Sequence, residues 1–108
     1  MKCYDLYGTK SLDLDELRVA VQRALDIELH RHESGYLGGD YFLAGDLRDE
    51  HVLIQRNHVS DGDEDEVAEP EFADYPILLL VNATTRGDEL KGRLAAIAGM
   101  DFLRRSVP

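Results

Sequence analysis

The chain has 108 residues, 44% of them hydrophobic, with 22 acidic against 12 basic side chains and a formal net charge of −10. That length implies one domain with a core of its own and no need of a disulfide or metal staple. The charge argues against direct binding of DNA or RNA, whose phosphates require a basic face, and favours a basic protein partner instead.

No apolar run approaches the ~20 residues of a membrane helix, and Met1 to Lys10 has no apolar stretch of the signal-peptide kind. Cys3 is the single cysteine and has no internal partner. A cytoplasmic protein is the expectation, with Cys3 as a small core residue rather than a reactive thiol.

In chain order, Lys2 to Tyr7 reads as a strand, with Tyr4 and Leu6 on one side and Cys3, Asp5 and Tyr7 on the other. Gly8-Thr9-Lys10-Ser11 ends it. A helix follows, opened by the capping pair Asp13 and Glu16. Its apolar stripe is Leu14, Leu17, Val21, Ala24 and Leu25, with Arg18, Gln22 and Arg23 on the wet side and Asp26 at the C-cap. Alternation from Ile27 to Glu33 predicts a second strand. Ser34 to Gly39 supplies turn residues, and Asp40 to Ala44 closes a hairpin. After a turn over Gly45 to Glu50, His51 to Val59 completes an antiparallel meander.

Ser60 to Asp74 shifts the composition abruptly. It holds eight acidic residues and no basic one: Asp61, Asp63, Glu64, Asp65, Glu66, Glu69, Glu71 and Asp74. The rest of the chain is nearly balanced. Like charges this dense repel, and the stretch has little apolar area, so it reads as a long mobile loop anchored by Phe72.

Tyr75-Pro76-Ile77-Leu78-Leu79-Leu80-Val81 then carries five successive large aliphatic residues. An unbroken run of this length suits a strand at the centre of a sheet, with Pro76 at its start. A second helix takes Thr85 as N-cap, Asp88 and Glu89 in its first turn, and Leu90, Leu94, Ile97 and Ala98 as its stripe. Gly99 is placed as the C-cap. Met100 to Arg105 is a last strand.

The order β-α-β-β-β-β-α-β predicts a single α+β domain over residues 1–108. Its sheet is mixed but mostly antiparallel, with two helices packed on one face and a long acidic loop at 60–74. The two ends resemble ferredoxin-like β-α-β units with an inserted meander.

No constellation carries catalysis. His30 and His32 form a His-x-His pair on a strand, with Glu28 or His51 as a third metal ligand, but solvated side chains explain them as well. The Asp61-Gly62-Asp63 run fails the pattern of a calcium loop at its sixth and twelfth positions, which are Glu66 and Phe72. Gly35, Gly38 and Gly39 lead into a strand rather than a helix, so they shape a turn and do not cradle phosphate. No serine or cysteine sits in a strained strand-to-helix turn. The expectation is therefore a protein that is no enzyme and has no cofactor or metal.

The acidic loop is the remaining candidate, either as a solubilising surface segment or as a recognition surface. As a recognition surface its carboxylates occupy a basic groove, and Tyr36, Tyr41 and Phe72, with Tyr75, offer aromatic anchors.

The chain resembles the small immunity proteins of bacterial polymorphic-toxin and contact-dependent growth inhibition systems. The residues that carry the likeness are Gly38-Gly39-Asp40-Tyr41-Phe42, the strand Val52 to Asn57, Glu69-Pro70-Glu71-Phe72, Tyr75 to Asn82 and Asp88-Glu89-Leu90. The resemblance implies a cytoplasmic protein that binds and blocks one cognate toxin domain, often a nuclease. Two rival expectations are a small ligand-binding α+β module and a metal-dependent hydrolase using His30, His32 and His51.

Overall fold

The computed structural model describes residues 1–34, 37, 39–61 and 64–108, with the side chains of 60, 61, 64 and 65 outside that description. The chain forms β1 (Cys3–Thr9), α1 (Leu14–Leu25), β2 (His30–Ser34), β3 (Gly39–Gly45), β4 (His51–Arg56), β5 (His58–Asp61) and β6 (Glu64–Val67). A 3-10 turn over Pro70–Phe72 follows, then β7 (Ile77–Thr84), α2 (Gly87–Leu94) and β8 (Met100–Ser106).

Six strands make one sheet in the order β2-β3-β4-β7-β1-β8, and β5 and β6 pair separately. Every neighbouring pair in the sheet runs antiparallel. The α+β architecture read from the sequence is present, and the aliphatic run of β7 lies inside the sheet between β4 and β1. β7, α2 and β8 form a split β-α-β unit, with β1 running antiparallel between its two strands.

Strand alternation divides the sheet into two faces. On one, Tyr7, Phe42, Val52, Ile54, Ile77, Leu79 and Val81 pack against Leu14, Leu17, Val21 and Leu25 of α1 and Leu90 and Leu94 of α2. α1 starts where the capping pair places it: Glu16 N donates to Asp13 Oδ1 at 2.7 Å and Asp13 N to Glu16 Oε1 at 3.1 Å. It stops at Asp26, whose φ of 53° is left-handed.

Three expectations shift. Ile27 to Leu29 is not strand, because Gln22, expected to be merely wet, accepts from Leu29 N at 2.9 Å and from Ile27 N at 3.3 Å and holds this stretch against the helix end. α2 ends at Leu94 rather than near Ala98, and Ile97 N donates to the Leu94 carbonyl in a tightened turn. Thr85 does not cap α2; the Thr84 hydroxyl accepts from Arg86 N instead.

The largest departure is the acidic stretch. Where the sequence predicts an irregular loop over 60–74, the chain builds the β5–β6 ladder and the 3-10 turn. This excursion, from Asn57 to Pro76, folds onto the second face of the sheet. Tyr75 lies over Gly8 of β1, where a side chain would not fit: a Cβ there would stand 2.7 Å from Tyr75 Cδ1 and 2.9 Å from Leu103 Cδ1. Gly8 pairs with Leu78, which is fully buried.

Gly8→Ala is expected to lower stability by about 1–3 kcal/mol through this overpacking. Urea unfolding should show a lower midpoint at unchanged slope. An unchanged midpoint would mean that the Tyr75 ring does not rest on β1.

Candidate functional site

The acidic excursion is mounted on one carboxamide. Asn57, fully buried at the end of β4, donates from Nδ2 to the carbonyls of Phe72 and Tyr75, both at 2.8 Å. Its Oδ1 accepts from Glu69 N at 2.8 Å. Its backbone N–H donates to the Pro76 carbonyl at 2.9 Å, and its carbonyl accepts from Ala68 N at 2.7 Å. One residue thus ties together both ends of the excursion and the 3-10 turn between them. The sequence places Asn57 only within the long strand His51 to Val59; its signal there is a polar amide that alternation cannot place on a wet face.

Arg104 of β8 supplies the second fastening. Its Nη2 lies 3.1 Å from Glu69 Oε2, its Nη1 lies 3.7 Å from Glu71 Oε2, and its guanidinium stands 5.8 Å from the Phe72 ring centre. Phe72 meets Tyr75 edge-on, and the Tyr75 hydroxyl donates to Asp101 Oδ2 at 2.8 Å. His58 Nε2 lies 2.9 Å from the Ala73 carbonyl oxygen.

The predicted contact residues therefore separate into groups. Glu69, Glu71 and Phe72 fasten the excursion to the sheet. Glu66 and Asp74 are exposed. Asp61, Glu64 and Asp65 belong to β5 and β6, with Asp61 opposite Glu64 and Ser60 opposite Asp65 in the ladder; their side chains, and Asp63 and Tyr36 entirely, lie outside the described residues, as do Gly35 and Gly38 of the expected turn. Tyr41 is on β3, half-buried, with its ring stacked on His32 at 5.3 Å.

The basic side chains are largely occupied elsewhere. Arg31 pairs with Asp40, Arg48 with Asp46, Arg86 with Glu50, Arg93 with Glu89 and Arg105 with Asp5 and Asp88. The Asp5 carboxylate is 1% exposed and takes Arg105 bidentately, Nε to Oδ1 at 2.8 Å and Nη2 to Oδ2 at 2.9 Å. This buried pair joins β1 to β8, and Arg105 Nη1 continues to Asp88 in the first turn of α2. Cys3 is buried beside it, and burial pushes the thiol up from its ordinary value.

The histidines do not assemble. His30 and His32 are exposed on the edge strand β2. His51 has both ring nitrogens engaged, Nδ1 at 2.9 Å from the Asp49 carbonyl and Nε2 at 3.2 Å from Asn82 Nδ2. Among the described residues no three His, Cys, Asp or Glu groups gather as a metal site, and no helix is long and apolar enough to cross a membrane.

A second polar knot closes the other end of the sheet. Arg86 donates to Glu50 from Nε at 3.0 Å and from Nη2 at 2.9 Å, and the Thr84 hydroxyl donates to Glu50 Oε1 at 2.6 Å. The Arg86 bonds hold the Glu50 carboxyl below its ordinary 4.5; partial burial opposes them and the Thr84 bond adds to them.

Comparison with known proteins finds no family model, no curated protein and no solved structure that matches this chain.

Two outcomes follow from these contacts. Asn57→Ala leaves two carbonyls and one N–H without their partner and is expected to destabilise by about 2–4 kcal/mol. Amide exchange should accelerate through 58–76 more than in β1 or β7; uniform acceleration would deny Asn57 its role as a local fastening. A depressed Glu50 stabilises the fold above its unfolded value and loses that contribution as pH falls through the folded value. Glu50→Gln should therefore melt below the parent at neutral pH, with the two curves converging as pH falls below the ordinary carboxyl value of 4.5 and through the depressed folded one. A gap that persists in acid would refute the ionic role.

Proposed function

We propose that this chain is a stoichiometric inhibitor of the immunity type, which docks on a basic toxin domain, such as a nuclease with a cationic groove, and blocks it without chemistry of its own. The observation that carries this reading is the acidic excursion, with eight carboxylate residues and no basic residue between Ser60 and Asp74, four of them, Asp61, Glu64, Asp65 and Glu66, in the paired strands β5 and β6.

Three physical arguments support it. The concentrated negative field steers a cationic partner into encounter and raises the association rate. Mounting the carboxylates on paired strands reduces the ordering cost that a loose tether would meet on binding. The described carboxylates Glu66 and Asp74 are exposed on the excursion and open to a cationic surface.

The test is functional. The candidate partner to seek is the C-terminal domain of a large secreted protein whose reading frame lies just upstream. That domain expressed alone should arrest growth, and co-expression of this chain should restore it. Arrest that persists with both proteins folded and present would contradict the reading. In the purified pair, the combined substitution Asp63→Asn, Glu64→Gln, Asp65→Asn and Glu66→Gln should slow association roughly tenfold at low salt and flatten its salt dependence. Unchanged kinetics would remove the excursion from the contact.

A further inference from the structure

The second face of the sheet is covered only in part. A row of side chains crosses it from β3 to β8 through the cross-strand pairs Leu43–Leu53, Leu53–Leu80, Leu80–Leu6 and Leu6–Arg104. A second row passes through Gln55, Leu78 and Gly8. Gln55, Leu78, Gly8 and Leu6 are buried on that face. Leu80, Leu53, Leu43 and Tyr41 are only half-buried. The covered and uncovered parts are continuous, so three leucines and a tyrosine form an apolar floor beside the acidic excursion.

We propose that this floor, together with the exposed carboxylates Glu66 and Asp74 of the excursion, is the docking surface for a cationic amphipathic segment of a protein partner, its apolar side chains on Tyr41, Leu43, Leu53 and Leu80 and its lysines or arginines against those carboxylates. The inference rests on the inhibitor reading and adds to it the place and chemistry of the contact. Charge selects the occupant. A second copy of the chain would bring a second formal charge of −10 and a second acidic excursion to the same face, and like potentials oppose that approach. A basic segment removes the repulsion and covers the leucines in one step. The floor supplies the apolar centre and the excursion the polar rim that specific interfaces combine.

Two synthetic peptides test this on the whole protein: one of alternating leucine and lysine, and one in which each leucine is replaced by glycine at the same charge. The leucine peptide should bind about tenfold more tightly, as expected for burying leucine side chains, and should shift the amide resonances of Tyr41, Leu43, Leu53 and Leu80. The double substitution Leu43→Thr and Leu53→Thr, which retains strand-compatible residues, should reduce the affinity of the leucine peptide to that of the glycine peptide and leave the latter unchanged. Equal affinities of the two peptides for the parent protein, or shifts confined to other faces, would overturn the floor as a docking surface while leaving the acidic contact standing. Failure of both peptides to bind would overturn the acidic contact as well. A dimer of the free protein that the double substitution dissociates would assign the floor to a second copy and overturn the proposal. The shift map on the parent protein decides the matter even if the double variant does not fold.

Discussion

A single buried amide, Asn57, sets the terms on which the acidic stretch exists as structure. Its side chain uses both donors and one acceptor on groups drawn from Glu69, Phe72 and Tyr75, and its backbone holds Ala68 and Pro76. Segments this acidic lack the apolar area to offset the entropy of ordering. Hydrogen bonds in a water-excluded site are stronger than at the surface, and a wholly satisfied residue there fixes one geometry. Arg104 adds a contact that also lowers the local charge, by engaging two carboxylates of the excursion itself.

From that fastening follows the difference between the two faces of the sheet. One is closed by α1 and α2 over a continuous aliphatic core. The other is closed partway, by a segment that brings strong negative charge to the border of half-buried leucines.

Much of the fold was legible because its signals are local. The Asp13–Glu16 capping pair, the stripe of α1 and the aliphatic run of β7 each depend on residues a few positions apart. The acidic composition of 60–74 was equally plain. Its conformation was not, because the groups that order it are distant in sequence: Asn57 reaches Tyr75, Arg104 reaches Glu69, and Tyr75 rests on Gly8. Charge density pointed to a free loop, and long-range hydrogen bonds overrode it. The same blindness hid Gln22, whose amide binds Leu29, and the buried Asp5–Arg105 pair that links opposite ends of the chain.

The central claim is that the carboxylates are presented from an ordered hairpin rather than from a loose tether. Backbone order parameters from 15N relaxation at Val59, Asp61, Glu64 and Glu66 test it most directly. The account predicts values near those of β4 and β7, about 0.85. Values below about 0.6 at these four amides, with the sheet remaining rigid, would contradict it.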